Sequence, residues 1–103
     1  MNTTRFKDEY LVATMERLIE LTDSKGREYA NSNDQLANFK RLATRLGLSP
    51  AQVVMVYLTK HLDSIDSWIS NPYQDLSEPI DGRIDDAILY LILLKAISHE
   101  QHL

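Results

Sequence analysis

The sequence predicts an all-α fold: a four-helix, bundle-like single domain over residues 1–103 that assembles into an oligomer. Three observations predict it. Apolar side chains recur at steps of three and four residues and almost nowhere alternate, which is the spacing of helices rather than strands. Only three glycines and three prolines interrupt the chain, and they fall where the helical patterns run out. With 44% hydrophobic and 25% charged residues, the 103-residue chain can bury one modest core and lacks the polar excess of a disordered segment.

Composition also excludes function classes. There is no cysteine, hence no disulfide, thiolate chemistry or cysteine-based zinc site. A net charge of −4 argues against a general DNA or RNA binder, which carries a basic excess. It leaves room for a small phosphate-bearing ligand, because local charge can differ in sign from the total. Residues 1–7 hold no apolar stretch of the secretory kind, and the longest apolar run, residues 87–94, is far shorter than the roughly 20 residues a membrane span needs. The expectation is a cytoplasmic protein with no membrane contact.

Each element has its own signal. Residues 4–24 carry Phe6, Tyr10, Val12, Ala13, Met15, Leu18, Ile19 and Leu21 on a broad stripe, with Thr3 or Thr4 as cap and Lys25-Gly26 as the stop. Residues 27–34 are polar and rich in turn formers, and Ser32, Asn33 or Asp34 is placed to cap a second helix over residues 34–46. That helix turns Leu36, Phe39, Leu42, Ala43 and Leu46 inward and ends at Gly47. Ser49-Pro50-Ala51-Gln52 combines an N-cap serine, a proline at the first helical position and a capping-box glutamine, so a third helix runs over residues 50–70. Its apolar face (Val53, Val54, Val56, Tyr57, Leu58, Leu62, Ile65, Trp68, Ile69) is interrupted by Lys60, His61, Asp63 and Asp66. Asn71-Pro72 closes it, since proline disfavours α geometry in the residue before it. The last helix, residues 81–100, turns Ile84, Ala87, Ile88, Leu91, Ile92, Leu94 and Ile97 inward and is apolar nearly all round: Leu89, Leu91, Ile92, Leu93 and Leu94 cannot share one stripe. A monomer of this size cannot cover such a helix, so a homo-oligomer, dimer or tetramer, is expected through it.

Three constellations have the residue types for chemistry. Asp63 and Asp66 lie on the third helix, and Glu78, Asp81, Asp85 and Asp86 surround the start of the fourth. Acids three or four residues apart share a helix face. If the two helices are antiparallel neighbours, Asp63, Asp66, Asp81 and Asp85 meet at one end and suit Mg²⁺, which takes oxygen ligands and retains water and substrate phosphates. The helix dipole accounts for Asp81, Asp85 and Asp86 without any metal, and Arg83 can offset them. In the second constellation, Lys60 either snorkels to water or holds an anion, and His61 reads as a core-edge residue rather than a catalyst. In the third, Lys25, Arg27, Tyr29 and Asn38 offer cations, a ring and an amide for a base and phosphate, with a solvated loop as the plain alternative. No nucleophile–base arrangement and no glycine-rich phosphate loop is present.

The runs Lys25-Gly26-Arg27-Glu28-Tyr29, Asn38-Phe39, Leu48-Ser49-Pro50-Ala51-Gln52-Val53, Lys60 with Asp63, and Asp86 followed by Tyr90 span about residues 24–94. Together they resemble small all-α proteins of phages and prophages, related to the nucleotide-modification-associated domain and distantly to MazG-like nucleoside triphosphate pyrophosphatases. The resemblance implies Mg²⁺ held by acids of two helices, binding a triphosphate and activating water. Asp63 and Asp66 stand for the first acidic pair, and Glu78 with Asp81, or Asp85 with Asp86, for the second. The chain departs from the pattern in having aspartates for glutamates on the third helix, Ala30 for a glycine, and Gly82 where an acid is usual. The expectation is a nucleotide-binding protein in the host cytoplasm, with Lys25, Arg27, Tyr29, Asn38, Lys60 and Arg83 around the nucleotide. If catalytic, it is an Mg²⁺-dependent nucleoside triphosphate pyrophosphohydrolase. The alternative is a non-catalytic oligomeric phage protein that sequesters a nucleotide signal or binds a host protein, and the plainest reading is an interaction protein with no small ligand.

Overall fold

A computed structural model describes residues 1–28 and 36–100, with side chains over residues 1–23 and 36–100. Among these every regular element is helical: α1 (Thr3–Arg5), a π-helical segment (Phe6–Val12), α2 (Ala13–Glu28), α3 (Ala37–Leu46), α4 (Pro50–Ser70) and α5 (Ile80–Glu100). The all-α expectation holds, with the first three elements forming one continuous helical run. The chain falls into two compact units, Met1–Gln35 and Leu36–Leu103.

In the first unit the cap is Asn2 rather than the expected Thr3 or Thr4. Its side-chain oxygen accepts from the Arg5 amide at 2.7 Å, satisfying one of the donors a helix start leaves open. Arg5 and Glu9, one turn apart, pair at 2.9 Å on the exposed surface. Such a pair contributes a few tenths of a kcal/mol. The π-helical turns of Phe6–Val12 advance side chains by less than 100° per residue, which displaces the stripe read at α-helical spacing. Leu18 is buried, whereas Phe6, Tyr10, Met15 and Ile19 are exposed, so the broad inward stripe expected of this helix does not form. The helix also runs past the expected stop at Lys25-Gly26, through to Glu28. An interior glycine costs about 1 kcal/mol relative to alanine, too little to end a helix unaided. The cap expected among Ser32, Asn33 and Asp34 lies outside the described residues.

The second unit follows the sequence signals closely. Gly47 takes φ 69°, the left-handed conformation that a Cβ disfavours, and its amide and that of Leu48 both return to the Ala43 carbonyl. The capping box forms as read: the Gln52 amide donates to Ser49 Oγ at 3.1 Å, and the Ser49 amide donates to Gln52 Oε1 at 2.8 Å. α4 then occupies the predicted residues 50–70 and stops before Pro72, where Gln74 folds back and donates from Nε2 to the Ser67 carbonyl at 2.6 Å. α5 starts one residue earlier than expected, with the Gly82 and Arg83 amides satisfied by the Pro79 carbonyl.

α4 packs along α5 and against α3. Tyr57 meets Tyr90, and four residues further along α4 His61 meets Asp86, four residues earlier on α5, so α4 and α5 run antiparallel. Leu36, Val54 and Ile97 form the buried cluster, with Phe39, Ala51, Tyr90, Leu93 and Leu94 packed on it. Val53, Leu58 and Ala87 are buried as predicted. Other residues read as inward are not: Leu46, Val56, Leu62, Ile69, Ile84, Leu91 and Ile92 are exposed, because the apolar arc of each helix is wider than the arc its neighbours cover. Ser49→Ala removes the N-cap acceptor of the unit's central helix. It is expected to lower stability by about 1 kcal/mol in a denaturant titration, with the helical circular dichroism spectrum unchanged.

Candidate functional site

Phe39, Tyr57, His61, Asp86 and Tyr90 of the second unit converge on the α4–α5 seam. On α4, Tyr57 and His61 stand one turn apart, and on α5, Asp86 and Tyr90 do the same, so two antiparallel helices bring four polar-tipped side chains to one level. The rings of Tyr57 and Tyr90 stack with centroids 6.0 Å apart, and Phe39 of α3 meets both edge-on at 5.7 and 6.1 Å. The His61 ring lies 5.4 Å from Tyr90. These separations and angles are the favourable ones for rings whose faces are negative and edges positive.

His61 is buried, and its Nε2 lies 3.8 Å from Asp86 Oδ2, close enough for charge attraction and too far for a hydrogen bond. Burial lowers its pKa below 6.5; Arg83 and Lys60 act in the same direction, against the opposing pull of Asp86 and Glu78. The imidazole is therefore neutral at pH 7. Arg83 is half-buried at the start of α5, with Nε 3.6 Å from Glu78 Oε2 and Nη2 3.4 Å from Ser77 Oγ. His61 Nδ1 and Arg83 Nε are buried without a hydrogen-bond partner. Asp85, beside them in sequence, is buried as well.

The expected site residues are dispersed. Asp63, Asp66 and Asp81 are exposed and Asp85 is buried. Asp63 follows His61 by two residues, about 200° round the helix, and Asp66 by five, about 140°; since His61 points into the seam, these two aspartates point away from it. Among the described residues no group of three or more His, Asp or Glu side chains is placed to hold a metal ion. Asp63, Asp66, Asp81 and Asp85 are thus not brought together as one cluster among the described residues. Lys60 is exposed on α4, Asn38 accepts from the Arg41 guanidinium within α3, and Arg83 is half-buried at the start of α5 beside the seam. Lys25, Arg27 and Tyr29 are not among the described side chains. No helix of the described residues is long and apolar enough to cross a membrane.

Compared with known proteins, the chain matches no family model, no curated sequence and no solved structure. Its own geometry is what bears on function. The cluster of Phe39, Tyr57, His61, Asp86 and Tyr90 was only half legible: Tyr57 with His61 and Asp86 with Tyr90 are each spaced by four residues, a repeated polar step on two adjacent helices that marks facing positions.

His61 makes stability pH-dependent with a definite sign. Its folded-state pKa lies below the unfolded value, so the unfolded chain takes up a proton first as pH falls. The contribution is fully present above about pH 7. It is lost progressively as pH drops below 6.5 towards the lowered folded-state value. Denaturant titrations across this range are expected to show that loss in the native chain and a flatter profile in His61→Leu; an identical slope in both would remove His61 as the cause.

Proposed function

We propose that the chain is a non-catalytic helical protein that acts by binding protein surfaces through apolar helix faces. The observation that carries this reading is the set of large aliphatic side chains left in solvent in the second unit: Val56 is 64% exposed, Ile69 63%, Leu91 54% and Ile92 50%. Single exposed apolar residues are ordinary, but Ile84, Leu91 and Ile92 follow one another along the same side of α5. The ionisable residues in the seam serve packing in this reading, with His61 kept neutral by burial beside the Tyr90 ring and Asp86.

A second reading has one observation in its favour. His61 Nδ1 and Arg83 Nε are buried polar atoms with no partner, and a bound phosphate or carboxylate would supply an acceptor. Asp85, Asp86 and Glu78 crowd the same place with negative charge, which opposes a nucleotide anion unless a cation accompanies it. One experiment separates the two. The chain is incubated with each nucleoside triphosphate, with and without Mg²⁺, and both pyrophosphate release and the shift in melting temperature are followed. The expected result is neither release nor stabilisation. Pyrophosphate release, or stabilisation that disappears in Arg83→Ala, would replace the interaction reading with the nucleotide one.

A further inference from the structure

α5 has two apolar sides. The inner one carries Ala87, Tyr90, Leu93, Leu94 and Ile97 into the core and turns Asp86 to His61. At 100° per residue, the opposite side carries Asp81, Ile84, Ile88, Leu91 and Lys95 at alternating steps of three and four residues, with Ile92 alongside. Asp81, Ile84, Leu91, Ile92 and Lys95 are exposed and Ile88 is half-buried. Among the described residues neither Asp81 nor Lys95 forms an ion pair.

This outer stripe is self-complementary when reversed. Ile88 lies midway between Asp81 and Lys95 and midway between Ile84 and Ile92. A second α5 laid antiparallel across it about a two-fold axis at Ile88 sets Ile84 against the partner's Ile92 and Asp81 against the partner's Lys95. Both contacts are repeated by symmetry, as an isologous interface requires. A parallel arrangement would instead set Asp81 against the partner's Asp81. We propose that two copies of this chain associate through this face of α5, antiparallel and centred on Ile88. The proposal rests on the interaction reading above and names the partner and register it leaves open. The apolar side chains supply the association, and the charges at the ends select the direction.

Sedimentation velocity of the full chain over a wide concentration range tests it. The expected result is a monomer–dimer equilibrium. Asp81→Lys and Lys95→Asp should each weaken self-association about tenfold, because symmetry places every reversed charge twice in the interface. Asp81→Lys/Lys95→Asp together should restore it, and Leu91→Glu should leave a folded monomer by circular dichroism, since Leu91 stands outside the core. A monomer at every concentration, or a dimer insensitive to Leu91→Glu and to both single charge reversals, overturns the proposal. The nucleotide experiment does not depend on either result, so failure of the dimer and failure of the interaction reading remain distinguishable.

Discussion

The antiparallel packing of α4 on α5 is the constraint on which the second unit depends. Its strength comes from apolar contact. Burying a Val, Leu or Ile side chain contributes about 1.5–3 kcal/mol, and Val53, Val54, Leu58 and Ile97 are all buried in this unit. Each of the three ring pairs among Phe39, Tyr57 and Tyr90 adds about 0.5–1.5 kcal/mol. The His61–Asp86 contact is long, and its histidine is driven towards neutrality by burial, so it cannot rival those terms. Its effect is on specificity: once Tyr57 stacks on Tyr90, His61 has one level of α5 at which it finds a carboxylate.

That packing also explains the surface. α5 is apolar almost all round, and a single neighbour can cover only part of its circumference. What the core does not use is left in water at Ile84, Leu91 and Ile92. The same surplus occurs in the first unit, where Phe6, Met15 and Ile19 are exposed on the helical run of residues 3–28. The proposed interaction function rests on this exposed aliphatic surface rather than on any one polar residue.

The acidic residues illustrate how helix phase overrides spacing. Asp63 and Asp66 share a face of α4, and Asp81 and Asp85 share a face of α5, so each pair is correct within its own helix. The packing turns His61, and with it Val54 and Leu58, towards α5. A helix can present only one side to a given neighbour, and presenting that side sends Asp63 and Asp66 elsewhere. The carboxylate that enters the seam is Asp86. It lies four residues before Tyr90 and shares its face, while Asp81 remains in solvent.

The sequence by itself determined the all-α class and the ends of the helices in the second unit. Ser49-Pro50-Ala51-Gln52, Gly47 and Asn71-Pro72 act through bonds and backbone angles within a few residues, so their effect is legible without the rest of the chain. It also determined that α5 would be over-apolar. In the first unit the same local reasoning was less successful: Asn2 took the cap, and the helix passed through Gly26. Only the tertiary structure decided which side of α4 and α5 became core, that Phe39, Tyr57 and Tyr90 would meet, and that His61 would face Asp86. Those choices depend on the relative rotation and register of two helices, which many weak apolar contacts set together and no spacing within one helix records.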